Sequence, residues 1–254
     1  MLSLDELDAR IRAALMIDAR VSHALAYGSR TQHLDGEWQG DAYSDLEYYA
    51  YLRPGAVISP RAFLETLTPL LLYVVNLFGT PNAVTPELHR IELHVVDAAQ
   101  MSDILAWPLT HADVAAMLIK DEGGQLARTL GKWAAGPDWT PQEPQLIYDQ
   151  ALNWLTFASA VAARGELLRA AELLTWVRAA LLRLARFALG LVHLRAETRR
   201  AERDLGGWAR RIADVGSGAG EGLRRALELC RELAAALGLE PRGGLLAALE
   251  ARAC

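Results

Sequence analysis

Cysteine is nearly missing from this 254-residue chain: Cys230 and Cys254 are the only two, and they have no ligand-like spacing. That excludes a disulfide framework and a cysteine-based zinc site. A basic excess is missing too. Lys and Arg total 26 against 31 Asp and Glu, a net charge of −5. This argues against a general nucleic-acid binder but leaves room for a local basic pocket. No long uninterrupted apolar run occurs: the greasiest late stretch, Ala179 to Leu194, is broken by Arg183 and Arg186 and is too short to span a bilayer. Asp5, Glu6 and Asp8 stand where a secretory leader would be basic and then apolar. There is no internal repeat. These absences lead us to expect a soluble cytoplasmic protein with neither DNA nor membrane among its partners. What is present suffices for a real core, with 52% hydrophobic and 22% charged residues. The length suits one large domain or two ordinary ones.

The first half mixes strand and helix signals. Ser3 and Glu6 form a capping-box pattern, and Leu4, Leu7, Ile11 and Leu15 make one apolar stripe, so a helix opens the chain. Ser22 to Tyr27 reads as a short strand ending at Gly28-Ser29, and Asp45 to Leu52, rich in aromatics, as another. Ser59-Pro60 starts a helix. Leu70 to Phe78 is a β-like apolar run broken by a turn at Gly79-Thr80-Pro81-Asn82. From His89 to Val96 the pattern alternates, with Ile91, Leu93 and Val95 on one face and Arg90, Glu92 and His94 on the other. Met117 to Lys120 adds a last strand, and Asp121 to Leu126 leads into a helix.

Gly136 to Pro144 holds three prolines and a glycine, which stop any helix and mark a linker. Beyond it Ala, Leu, Arg and Glu dominate at helical spacing, with helices expected near 145–163, 166–194, 196–213, 221–237 and 243–252. The fold class expected is α+β: a domain over 1–136 with a mixed β-sheet, then an α-helical bundle over 144–254.

The chemistry sits at the sheet. Asp45 and Glu47 are two apart, so on a strand both carboxylates point to one face. Side by side they repel unless a cation lies between them. Hard oxygen ligands of this kind suit Mg²⁺, which in enzymes usually accompanies phosphates. Gly28 makes a tight turn in which Ser29 and its backbone N–H can cradle a phosphate oxygen, with Arg30 adding charge. Glu92, on a later strand, is placed to take a proton from an acceptor hydroxyl.

A Gly-Ser turn, an acidic pair spaced by one and a third carboxylate on a later strand resemble the nucleotidyltransferase superfamily. The closer resemblance is to antibiotic nucleotidyltransferases, in particular the lincosamide nucleotidyltransferases. It runs through Met16 to Leu52, Leu70 to Val95, Met117 to Leu126 and Trp154 to Arg186, including Arg90-x-Glu92-x-His94, Asp121-Glu122 and Arg164-Gly165-Glu166. It implies an α+β nucleotidyltransferase domain followed by a helical domain that binds the acceptor and mediates dimerisation. The implied reaction transfers a nucleoside monophosphate from ATP or another nucleoside triphosphate to a hydroxyl of a lincosamide-like or aminoglycoside-like antibiotic. Carried over by position, Asp45, Glu47 and Glu92 hold Mg²⁺, Glu92 is general base, and Gly28, Ser29 and Arg30 bind the nucleotide. The fifteen residues between Ser29 and Asp45 exceed the family's usual spacing. The extra polar segment, His33 to Trp38, reads as a loop at a sheet end, where added length costs little.

Several residues have plainer readings. An isolated acidic pair is usually the solvated face of an edge strand, and Glu92 alone would be a surface carboxylate. His94 reads as structural rather than catalytic. Tyr48, Tyr49 and Tyr51 read as sheet-face aromatics. Trp133, Trp139 and Trp154, near the linker, suit packing at a domain interface better than a drug pocket. Arg186 and His193, seven apart on a predicted helix, resemble the motif of small helical ribonucleases paired with minimal nucleotidyltransferases. That raises a rival role in a toxin–antitoxin pair, in which the helical domain binds a partner or cleaves RNA. A buried arginine and a core histidine account for the pair more simply.

Overall fold

A computed structural model describes residues 2–34, 36–77, 79–107, 112–135, 142–191, 198, 200–216 and 218–253. Most of the linker, with Trp139, lies outside the described residues, and so does His193. The chain divides into two compact units, Met1–Asp138 and Trp139–Cys254.

The first unit is built on a mixed sheet. Helix α1 (Leu4–Ile17) starts on the expected capping box: the Ser3 hydroxyl accepts from the Glu6 N–H at 3.2 Å, and the Ser3 N–H donates to Glu6 Oε2 at 2.8 Å. Its stripe of Leu4, Leu7, Ile11 and Leu15 is buried. Strand β1 (Val21–Tyr27) follows, then short β2 (His33–Leu34) and β3 (Glu37–Trp38), β4 (Leu46–Leu52) and helix α2 (Pro60–Glu65). Next come β5 (Leu72–Val75), β6 (Pro81–Val84), β7 (Arg90–Asp97), helix α3 (Val114–Met117), β8 (Leu118–Asp121) and helix α4 (Gln125–Ala134). Six strands form one sheet in the order β5-β6-β7-β4-β1-β8. β4 and β7 run parallel; the other neighbouring pairs are antiparallel.

The sheet buries both faces, as the alternation of its strands requires. On one face Ala24, Ala26, Leu46, Tyr48, Ala50, Ile91 and Leu93 pack with the stripe of α1 and with Phe63 and Leu64 of α2. On the other, Leu25 and Tyr51 pack with Met101, Ile104, Met117, Leu126, Leu130 and Trp133. Trp133, expected near a domain interface, is therefore core of the first unit, and its indole N–H donates to the Trp107 carbonyl at 3.2 Å.

Three local expectations change. The segment between Ser29 and Asp45 is not simply a loop: after a 3₁₀ turn at Ser29–Thr31 it folds back as the β2–β3 pair, with His33 opposite Trp38. Gln39 closes that pair through its N–H to the Gln32 carbonyl at 2.9 Å, and turn hydrogen bonds between Asp41 and Ser44 deliver Asp45 to the sheet. The turn expected at Gly79 to Asn82 lies earlier, closed by the Asn76 and Gly79 N–H groups. Pro81 instead opens β6, at a first-residue position where its missing N–H is tolerated. The last strand sits one residue later than expected, because α3 claims Met117 for the core.

The second unit is helical: α5 (Pro144–Ala163), α6 (Leu167–Ala188), α7 (Ala201–Asp204), α8 (Gly207–Ala213), α9 (Ala219–Leu237) and α10 (Gly243–Ala253). Leu152, Leu155, Leu174, Val177, Leu181, Leu227 and Cys230 lie in its core. The start of the helix expected over 196–213 lies outside the described residues, and its described part is two helices, because Gly206 adopts φ +53, ψ −122, a backbone that breaks helical hydrogen bonding. Arg186 is buried, its Nη1 3.5 Å from Asp204 Oδ2. No described helix is long and apolar enough to cross a membrane.

Candidate functional site

The carboxylates lie at the start of the parallel strand pair β4–β7. Asp45 immediately precedes β4, and Glu47 is its second residue. Parallel pairing sets Glu47 opposite Glu92, the third residue of β7. The same lateral row continues to Tyr27 on β1 and Asn82 on β6. These four residues share a row because the register of three strand pairs coincides there, which no single segment encodes.

The row ends at the turn after β1. Gly28 has φ +82 and ψ −162, a region open essentially to glycine alone. A Cβ there would lie 2.7 Å from Glu47 Oε1 and 2.8 Å from its carboxyl carbon, so the turn packs directly on that carboxylate. Ser29 begins the 3₁₀ turn, held by the Thr31 hydroxyl donating to the Gly28 carbonyl at 2.9 Å. Arg30 points elsewhere. Its guanidinium donates to Asp5 of α1 at 2.6 Å and lies 3.6 Å from Asp8.

The cation among the carboxylates is Arg90. Its Nη1 donates to Asp45 Oδ2, and its Nη2 donates to both Glu92 Oε1 and Asn82 Oδ1. Asn82 is buried, and its own amide donates to the Thr80 carbonyl at 2.9 Å, which turns its oxygen toward the guanidinium. Burial works against the charge on Arg90, but Glu92 and Asp45 outweigh it and hold its pKa above the ordinary arginine value. The sequence had placed Arg90 on the face of Glu92; that it closes on Asp45 and Asn82 depends on the β4 and β6 registers.

Behind the row stands an aromatic wall that sequence reasoning missed. Tyr49 stacks on His94, its register partner, with ring centroids 4.2 Å apart and planes within 4°. Trp107 lies 4.6 Å from Tyr49 and 5.0 Å from Tyr27. Tyr49 and Tyr27 belong to the strand pattern, whereas Trp107 follows a 3₁₀ segment (Ala98–Ala106) and carries no periodic signal. Burial pushes the Tyr49 hydroxyl up to about 12, with Tyr27, Glu47 and Glu92 adding to the shift. Burial holds the His94 imidazole below its ordinary range against the pull of Glu92, whose Oε2 lies 3.7 Å from His94 Nε2.

The donor chemistry suits a hard divalent cation, since Asp45, Glu47 and Glu92 offer carboxylate oxygens alone. Asp45 and Glu92 already close on one cation, the guanidinium. Among the described residues, however, no three His, Cys, Asp or Glu side chains are gathered closely enough to hold a metal ion together. Glu47 stands beside Glu92 by register.

Of the remaining sequence candidates, Trp154 packs edge-on against Trp176, 4.4 Å between rings, on α5 and α6. Tyr48 faces α1 and donates to Asp8 at 2.5 Å, away from the row.

No family model and no curated protein matches the chain. Among solved structures, the chain is similar to an aminoglycoside 6-adenyltransferase from Bacillus subtilis, with 15% identity over 100% of both chains and a TM-score of 0.37. It is also similar to a nucleotidyltransferase-like protein from Exiguobacterium sibiricum 255-15, with 13% identity over 93% of this chain and 76% of that one, again at a TM-score of 0.37. Likenesses at this level leave the site to be read from its own residues.

Proposed function

We propose that the chain is an enzyme that transfers a nucleoside monophosphate from ATP or another nucleoside triphosphate to a hydroxyl of a lincosamide-like or aminoglycoside-like antibiotic, releasing pyrophosphate. One observation supports this above the others: Glu47 and Glu92 are opposed across parallel strands while Asp45 and Glu92 are bound to a common cation. Like charges assembled this way suit a site that works on a cation and an anionic polyphosphate, and a merely solvated strand face has no need of them.

Asp45, Glu47 and Glu92 would hold Mg²⁺, which when bound offsets charge on the phosphates. The chain's own residues supply the remainder. The Gly28 turn packs its backbone against the Glu47 carboxylate with no side chain between them, and Ser29 follows it in the turn that would cradle the polyphosphate. Glu92 would accept the proton of the acceptor hydroxyl. His94, stacked on Tyr49, has its Nε2 3.7 Å from Glu92 Oε2. The resemblance that supplies the acceptor class also assigns acceptor recognition and homodimer formation to residues 144–254, and both belong to this proposal. Arg30, engaged by Asp5, is left to a supporting role at the turn.

The test is direct. The protein is incubated with MgATP and a panel of lincosamides and aminoglycosides, and products are read by mass spectrometry. A nucleotide adduct on a drug, absent with Asp45→Asn or Glu92→Gln, is the expected result. No adduct with any nucleoside triphosphate, or full activity in either variant, would sink the reading.

A further inference from the structure

Arg90 is over-determined for a surface ion pair. One guanidinium satisfies two carboxylates and an amide drawn from three different strands or strand ends, yet its side chain is 39% exposed and that of Asp45 40%. A partly hydrated pair of this kind adds little to stability on its own. What it does change is the charge of the cluster. Asp45, Glu92 and the guanidinium together carry a single negative charge while Arg90 is in place, and the two carboxylates carry a double one when it leaves.

The third partner is what makes departure feasible. Asn82 is neutral, buried and fixed by Thr80, so its carbonyl oxygen stays available whichever cation the carboxylates hold. A guanidinium keeping only that hydrogen bond would remain at the rim of the row with four N–H donors free, in the fork geometry that suits a phosphate.

We propose that Arg90 is an internal counter-ion that a divalent cation displaces: guanidinium and metal occupy Asp45 and Glu92 in turn, and the released guanidinium, tethered by Asn82, receives the polyphosphate. This inference rests on the metal-dependent reading above. It explains why the carboxylates do not close as a three-ligand set while Arg90 is among them. The coupling runs both ways, since whatever the metal loses by displacing Arg90, Arg90 loses to the metal.

Mn²⁺ binding, followed by the paramagnetic resonance of the free ion, separates the possibilities. Removing the competitor in Arg90→Gln should tighten Mn²⁺ binding by roughly two- to fivefold, the upper part of what a partly exposed ion pair carries. Arg90→Lys, a point charge that cannot span both carboxylates, should lie between that variant and the wild type. The wild-type protein offers a measurement that needs no substitution: phenylglyoxal should modify Arg90, located by peptide mapping, faster with Mg²⁺ than without. Equal Mn²⁺ affinity in wild type and Arg90→Gln, or an unchanged modification rate in Mg²⁺ at concentrations where Mn²⁺ binds, overturns the displacement and leaves the metal site standing. Absence of Mn²⁺ binding in all three proteins overturns both.

Discussion

A methyl group on Gly28 would lie 2.7 Å from Oε1 of Glu47. Turn and carboxylate are therefore one structural unit, although eighteen residues lie between them in the sequence. The close approach also sits at φ +82, where an L side chain is strained even in open space. Gly28→Ala should accordingly destabilise the first unit by about 1–3 kcal/mol, read by urea unfolding. Transfer activity should fall more than that loss of folded protein explains, because Glu47 must move.

Glu92→Gln and Asp45→Asn should each lower transfer by roughly 10²–10⁴-fold, the range for loss of a positioned proton acceptor or its electrostatic partner. Circular dichroism should be unchanged, since Arg90 keeps Asn82 as an acceptor in both variants. Single-turnover kinetics with labelled ATP checks the rate, and retained activity counts against the assignment of that residue.

His94 should make the first unit acid-sensitive. Burial lowers its folded pKa below the unfolded value of 6.5, with Glu92 offsetting part of the shift. Between the two values the unfolded chain binds more protons, so stability rises with pH across that window. The contribution is fully present above the unfolded value and is lost as pH falls through the window. His94→Phe keeps the stack on Tyr49 and removes the titration. Urea unfolding from about pH 5 to 7.5 should then show a shallower slope than the wild type; an unchanged slope would mean that His94 is not the group responsible.

Tyr48→Phe should cost stability without touching chemistry. It deletes a hydroxyl that donates to Asp8 at 2.5 Å on the α1 face of the sheet. Losing a hydrogen bond to a charged acceptor costs about 1.5–3 kcal/mol. Denaturation should report that loss, while activity per folded molecule stays at the wild-type level.

Cys230 should be inert in the native state. It is fully buried in the helical unit, and burial pushes its thiol up to about 12. In a Cys254→Ser background, Ellman's reagent should label no thiol natively and one in urea. Rapid native labelling would show that α9 opens.

The strand and helix signals of this chain are local, and most were legible. The Ser3–Glu6 box, the stripe of α1, the alternation of β7 and the aromatic pattern of β4 each follow from side chains a few residues apart. The 3₁₀ segment, the β2–β3 pair and the start of β6 at Pro81 were not. Each is held by turn hydrogen bonds or neighbouring strands against weak or contrary propensity.

The candidate site divides the same way. Residue type and spacing in the sequence alone single out Gly28, Ser29, Asp45, Glu47 and Glu92, and fix which side of each strand the carboxylates take, because strand periodicity is local. Tertiary structure decides what they meet. Parallel pairing of β4 with β7 sets Glu47 against Glu92, the β6 register adds Asn82, and the meeting of the three places Arg90 between Asp45 and Glu92. It also turns Arg30 to Asp5 and brings Trp107 to Tyr49. Register is a property of whole strands packing together, and a one-residue slip of β7 would turn Arg90 and Glu92 to the opposite face of the sheet.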